Sequence, residues 1–403
     1  MAADRFWDRA AETMPRDELE RLQMARVRSC VARLLASGAA FYRQRLGPIA
    51  PDDLRSIEDL ARLPFTTKND LREQYPFGLL AAPSREIVRI HASSGSTGKP
   101  TVVAYTRADL ALWANVLARG LVAGGLTSAD VFQNAYGYGL FTGGLGFHDA
   151  ASLVGAAVVP TSSGNTPRQV MLMRDFGVTA FAATPSYAIN VAEVASAEGI
   201  DLASLPLRAA FVGAEPMSPA MQREIEERMG VRVYEQFGLS EIIGPGVASA
   251  CAHQRGLHVW EDHFIPEIID PEGGAHLPDG EVGELVLTAA TKEAFSVHLI
   301  GMGAAREMML LGETWDAARA HRQGLVGRVV PLERLEATAL DLATKLAANV
   351  RAASVATKRL ILRSHDLSLG RFLGEYVRSQ RGCWNDRETR GTLARYRTGR
   401  WGR

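Results

Sequence analysis

A chain of 403 residues, 47% hydrophobic and 22% charged with a formal net charge of zero, has the balance of a globular protein with two or more structural units. No run of about 18 apolar residues occurs, so no membrane span is expected. The stretch Met1–Trp7 lacks the apolar core of a secretion signal, and the three cysteines (Cys30, Cys251, Cys383) are scattered; together these predict a reducing, cytoplasmic setting without a disulfide framework. Residues 350–403 hold 13 Lys/Arg against 4 Asp/Glu, a balance of +9 that leaves −9 for the remainder. Such a tail could meet phosphates, but its arginines are interspersed with apolar residues. That pattern reads as a solvated helical surface, and no nucleic-acid partner is expected.

Along the chain, residues 15–37 read as a helix, with Pro15 in the first turn, acids at 17, 18 and 20, and Leu19, Leu22, Val31, Leu34 and Leu35 at near-helical spacing. Residues 51–75 break into short helical pieces between prolines. Two strand-like runs, Ile87–Ile90 and Val102–Tyr105, then bracket a loop containing Ser93, Ser94, Gly95, Ser96, Thr97, Gly98 and Lys99. Glycines allow close backbone approach, turned N–H groups and hydroxyls donate to anions, and a lysine adds a point charge, so the loop suits phosphate. It is not the Gly-x-x-x-x-Gly-Lys-Ser/Thr pattern. An ordinary Ser/Gly turn is the alternative; the density of donors between two strands favours the anion cradle.

Thr106 is a plausible N-cap for a helix over 107–124. Tyr136, Gly137, Tyr138 and Phe141 then alternate flat apolar faces with close backbone approach, which suits a slot for an aromatic ring and suits a glycine-rich packing loop equally well. From 150 to 235, short apolar runs alternate with helical segments: 156–160, 180–183, 209–212 and 231–234 as strands, 167–176, 187–197 and 219–229 as helices. This rhythm predicts a mostly parallel sheet flanked by helices, with ligands beyond the carboxyl ends of its strands. Thr184–Tyr187, Gly213–Pro216 and Gln236–Glu241 sit at such ends. Cys251 and His258 could ligate zinc, but no Cys-x-x-Cys partner accompanies them and no bound metal is expected there. Glu261, Asp262, His263 and His276 read as exposed loop polarity rather than a metal cluster.

Taken together in order, residues 93–101, 135–146, 184–187, 213–216, 234–241, 256–264, 283–288 and Thr291-Lys292-Glu293-Ala294 make the chain from about residue 5 to 295 resemble the phenylacetate–CoA ligases, within the adenylate-forming enzymes. The resemblance implies an AMP-binding large domain over 1–295. It implies ATP, Mg and coenzyme A as cofactors, an aromatic carboxylic acid as substrate, and conversion of that acid to acyl-AMP and then acyl-CoA. It places Ser93–Lys99 on the phosphates and Gly213, Ala214, Glu215 and Pro216 at the adenine, with Tyr234 and Gly238 in the same nucleotide site. Tyr136, Gly137, Tyr138 and Phe141 would border the acid. Glu241, which would hold Mg, and Lys99 would be catalytic.

After Ala294 the ligase pattern continues as Arg-Tyr-Arg-Thr-x-Asp and then a lid domain with an adenylation lysine. This chain departs from it, and Arg395-Tyr396-Arg397-Thr398 is too far downstream and lacks the aspartate. From about 297 the sequence resembles the enoyl-CoA hydratase/isomerase (crotonase) group, through Leu299–Glu313, Asp316–Ala320 and Gly324–Pro331, which implies a mainly helical segment over 296–403. Leu332, Leu335, Ala339, Leu342 and Leu346 form an apolar stripe within it. The oxyanion-hole loops and glutamates of that group are not in the fragment, so hydratase chemistry is the weakest reading. The expectation is a ligase-family protein with impaired turnover, and the alternative is a non-catalytic fusion that binds ATP or CoA weakly. A homo-oligomer is compatible with either.

Overall fold

The computed structural model describes residues 5–92, 100–270, 274–296, 298–299 and 329–347. The core of the phosphate loop, 93–99, and most of the hydratase-like segment lie outside the described residues. The chain divides into two compact units, Met1–Glu313 and Thr314–Arg403.

The first unit opens with helices α1 (Arg9–Glu12), α2 (Arg16–Ala36), α3 (Ala40–Leu46) and α4 (Lys68–Glu73). Pro15 is the cap of α2 rather than part of its first turn. A two-stranded antiparallel sheet follows, β1 (Ile87–Ala92) with β2 (Val102–Thr106), pairing Ala92 with Val102 at the mouth of the 93–99 loop. Helix α5 (Arg107–Ala123) starts from a capping box in which Thr106 and Asp109 bond reciprocally.

From residue 150 the α/β rhythm is as expected, with boundaries within a few residues except that its last strand runs on to Leu239; a strand and most of a helix before 150 belong to it as well. It runs β3 (Val131–Asn134), α6 (Thr142–Val154), β4 (Ala157–Val159), α7 (Thr166–Asp175), β5 (Ala180–Ala183), α8 (Pro185–Ala197), β6 (Ala209–Gly213), α9 (Pro219–Met229) and β7 (Arg232–Leu239). Two further strands, β8 (Gly244–Ser249) and β9 (His258–Val259), complete a seven-stranded sheet of order β4-β3-β5-β6-β7-β8-β9. The pairs from β4 to β7 are parallel, and β7–β8 and β8–β9 are antiparallel, so the sheet is mixed.

The central strands β5 and β6 are apolar throughout and fully buried because both faces are covered. Phe181, Ala210, Val212 and Val233 pack with α7–α9, whereas Ala180, Ala182, Phe211 and Tyr234 pack with α5 and α6. A third layer is antiparallel: β10 (Phe264–Ile269), β11 (Glu284–Ala289) and β12 (His298–Leu299). Val27, Val31 and Leu34 of α2 share one apolar core with Phe264, Ile265, Leu287 and Ala289.

Asp262 corrects the sequence reading. It is a buried ion-pair partner rather than exposed loop polarity, accepting from Arg119 Nη1 and Nη2 at 2.8 and 3.1 Å, with His263 Nε2 at 3.1 Å. Nor are its neighbours free in solvent. Glu261 takes both guanidinium arms of Arg16, and His276 lies 3.0 Å from buried Glu267. In the second unit, helix α10 (Leu332–Ala347) spans the positions of the predicted stripe, of which Leu335 and Ala339 are exposed.

Candidate active site

A cleft of about 760 Å³ opens beyond the carboxyl ends of β6 and β7, where the sheet turns from parallel to antiparallel. Its walls come from the turn before α6 (Tyr136, Phe141, Thr142), the loop after β6 (Gly213, Ala214, Glu215), the end of β7 with Ser240 and Glu241, and Lys68 of α4. Ala92 and Pro100 also line it, so both described ends of the 93–99 loop reach this cleft.

Local chemistry explains the shape. A Cβ on Gly213 would lie 2.1 Å from the Gln236 carbonyl oxygen, so a glycine is needed for β6 to close on β7. Ala214 follows at φ +70°, a left-handed conformation costing about 1–2 kcal/mol for a residue with a Cβ. Glu215 accepts the Ser186 N–H at 3.1 Å, tying this loop to the start of α8. Tyr136 is buried, its ring stacked on Phe147 with centroids 4.9 Å apart. Its hydroxyl reaches the Ala183 and Gly213 carbonyls at 2.6 and 3.2 Å, fastening the ends of β5 and β6. Burial pushes this phenol well above its usual range.

Glu241 is only 5% exposed, with Lys68 Nζ 3.8 Å away. Beside it Ser240 Oγ and Thr142 Oγ1 are 3.1 Å apart. In the same wall, buried Gln236 accepts from Ser249 Oγ at 2.7 Å, and its Nε2 has no acceptor among the described residues. A sheltered carboxylate, an unused amide donor and a glycine-tight backbone fit a magnesium-bound nucleotide, hard cation and polyanion together.

The cleft therefore collects Tyr136, Phe141, Gly213, Ala214, Glu215, Gly238 and Glu241 from the sequence-derived set. Gly137, Tyr138, Pro216 and Tyr234 do not line it. Tyr138 Oη instead meets Asn134 Nδ2 at 2.8 Å and His148 Nδ1 at 3.2 Å, and Tyr234 stacks on Phe211 at 5.5 Å. Ser93, Ser94, Gly95, Ser96, Thr97, Gly98 and Lys99 lie outside the described residues. Cys251 Sγ and His258 Nε2 are 3.2 Å apart, and no group of three or more metal-ligating side chains occurs among the described residues.

Sequence reasoning missed two residues behind the cleft. Lys292 is 0% exposed, its Nζ 4.4 Å from the Tyr105 ring centroid and without a hydrogen-bond acceptor among the described residues. Burial lowers its pKa to about 8, against the pull of Asp109 and Glu241. Asp109 accepts the Glu293 and Ala294 N–H groups at 2.6 and 3.0 Å, and Thr106 Oγ1 donates to Glu293 Oε2 at 2.8 Å. The signal was the Thr291–Ala294 run, noted for its pattern and not for the buried charge inside it.

A family model described as AMP-binding enzyme matches residues 39–291, and one described as enoyl-CoA hydratase/isomerase matches residues 284–389. With that match over most of its length and a cleft at the switch of an α/β sheet, the chain belongs to the AMP-binding enzymes. Within them it is similar to phenylacetate–coenzyme A ligases. It is 50% identical over 286 residues to that of Thermus thermophilus, covering 70% of this chain and 64% of the relative. It is 49% identical over 295 residues to that of Pseudomonas putida, covering 72% and 67%. The chain thus spans just under two thirds of the Thermus enzyme's length. Among solved structures, an open conformation of 2-hydroxyisobutyryl-CoA ligase in complex with 2-HIB-AMP and CoA superposes with a TM-score of 0.70 at 30% identity, over 74% of this chain and 72% of that one. No described helix is long and apolar enough to cross a membrane.

Proposed function

We propose that this chain activates an aryl-acetic acid with ATP. A carboxylate oxygen of the acid attacks the α-phosphorus, the bond to the β-phosphate oxygen breaks, and acyl-AMP and pyrophosphate result. The CoA thiolate then attacks the acyl carbon and AMP leaves. The observation that carries this reading is the cleft itself, built from Gly213–Glu215 and Gln236–Glu241 in a chain 50% identical over 286 residues to a phenylacetate–coenzyme A ligase.

Each residue's part follows from its surroundings. Glu241, together with phosphate oxygens, would hold magnesium, which offsets charge building on the leaving pyrophosphate. Ser93–Thr97, Gly98 and Lys99 would wrap the β- and γ-phosphates. Gly213–Glu215 would seat the adenine against a backbone no side chain obstructs. Tyr136 and Phe141 would flank the aromatic ring of the acid.

Residues beyond Ala294 do not carry the ligase pattern's ribose aspartate or lid lysine. Positioning of reactants contributes several kcal/mol to such steps, so on this reading turnover by this chain is slow, adenylation included. That departure also favours the second reading, a nucleotide-binding protein without turnover. We place the reaction in the cytoplasm.

Pyrophosphate-dependent isotope exchange into ATP, with Mg and phenylacetate, separates the two. Acid-dependent exchange that is lost in Glu241→Ala supports the ligase. Thermal stabilisation by Mg-ATP without exchange supports the binder. Neither effect at millimolar ligand removes both.

A further inference from the structure

A second pocket of about 380 Å³ lies at the other end of β7. Arg232 and Tyr234 line it from the beginning of the strand, whereas the cleft takes β7 from residue 235 to its end. Trp260 lines it too. This indole is 6% exposed, and its buried Nε1–H has no acceptor among the described residues. Tryptophan can only donate, so this N–H is left for a ligand atom that accepts.

The remaining lining holds two arginines and two histidines against one carboxylate. Arg5 is exposed at the rim, and Arg232 is anchored there by donating to the Ala252 carbonyl at 2.6 Å. His253 and His258 add further ring nitrogens. The carboxylate in the lining, Glu12, is engaged by the Trp7 and Asp8 N–H groups at 2.9 and 2.7 Å. Phe6, Tyr234 and Trp260 supply flat apolar surface between these donors.

We infer that this pocket binds a small aromatic anion, a flat ring carrying a carboxylate or phosphate, at a site separate from the cleft. The ring lies among Phe6, Tyr234 and Trp260, the anionic head meets Arg232 and Arg5, and the Trp260 N–H donates to it. Two sources share this chemistry, a free aryl carboxylate and a nucleoside monophosphate. The inference does not depend on the cleft being catalytic.

Cys251 provides a local reporter, because it lines the pocket with its Sγ 3.2 Å from His258 Nε2. The test is alkylation of the full-length chain by iodoacetamide, read by peptide mass spectrometry with Cys383 as internal reference. Phenylacetate, AMP, inorganic phosphate and benzyl alcohol are the probes. A bound ligand slows labelling by one plus its concentration over Kd, about threefold at twice Kd. Phenylacetate or AMP is expected to reach that slowing, and whichever does so identifies the source. Phosphate and benzyl alcohol, each holding half of the required chemistry, are expected to fall short of it. Trp260→Phe and Arg232→Gln are expected to lose the protection; Arg232 is exposed, so its variant tests the pocket even if the tryptophan variant misfolds. Three results would overturn the inference: no protection by phenylacetate or AMP at millimolar concentration, protection undiminished in Arg232→Gln, or protection lost in Gly213→Ala and retained in both pocket variants.

Discussion

Removing the Asp262 carboxylate should destabilise the first unit more than any surface change. Arg119 is 2% exposed and Asp262 5%, and two hydrogen bonds join them. In Asp262→Ala the guanidinium remains inside, with Asp8 at 3.9 Å as its other recorded carboxylate neighbour. Leaving one member of a buried pair uncompensated costs about 3–5 kcal/mol. At about 2 °C per kcal/mol for a unit of this size, the melting midpoint should fall by roughly 6–10 °C in differential scanning calorimetry. Arg119→Met combined with Asp262→Ala removes the stranded charge and should recover at least about half of the loss.

The pH dependence has a fixed sign. Burial alone would raise the Asp262 pKa, but hydrogen bonds from His263 and Arg119 outweigh it and hold the group far below the usual carboxylate range. Its contribution is therefore present above the unfolded-state value, about 3.9, and is lost as pH falls further. A single variant melting within about 2 °C of the parent, or a double variant no better than the single, would refute this reasoning.

Three further outcomes follow from the packing. Gly213→Ala drives a Cβ to 2.1 Å from the Gln236 carbonyl; it should cost about 1–3 kcal/mol and weaken AMP binding at least about tenfold by calorimetric titration. Lys292 sits at about 8 against an ordinary 10.5, so the unfolded chain binds more protons between those values and stability should rise with pH across that window. Lys292→Met should abolish that rise in urea midpoints at pH 7.5 and 9.5. Burial lifts Glu267 from 4.5 to about 7, so its penalty grows as pH climbs through that interval. Glu267→Gln should match the parent at low pH and exceed it by up to about 3 kcal/mol at pH 8, measured by chemical denaturation.

The α/β alternation between 150 and 235 was legible because strands covered on both faces are written as unbroken apolar runs bounded by proline and glycine. The end of β7 was harder. Glu235, Gln236 and Gly238 are cleft residues, and their polarity hides a strand that continues to Leu239. Tyr234 was assigned to the nucleotide because it opens the right motif. Its side chain instead meets Phe211, on the α5–α6 face of the sheet. The Asp262 pair could not be read locally, since Arg119 is 143 residues away. A lysine such as Lys292 looks like surface in any linear reading, because only tertiary packing reveals an aromatic ring beneath its ammonium.

The double acceptance by Asp109 of the Glu293 and Ala294 amides has a consequence for how such a gene can change. The clasp closes just after residue 291, where the AMP-binding match ends, and inside the stretch from 284 where the hydratase match has already begun. Backbone donors carry no side-chain identity, so α5 grips that strand exit whatever is encoded after it. The fold thereby has a seam there: this anchor of the nucleotide-facing scaffold is made by backbone donors and does not depend on which side chains follow.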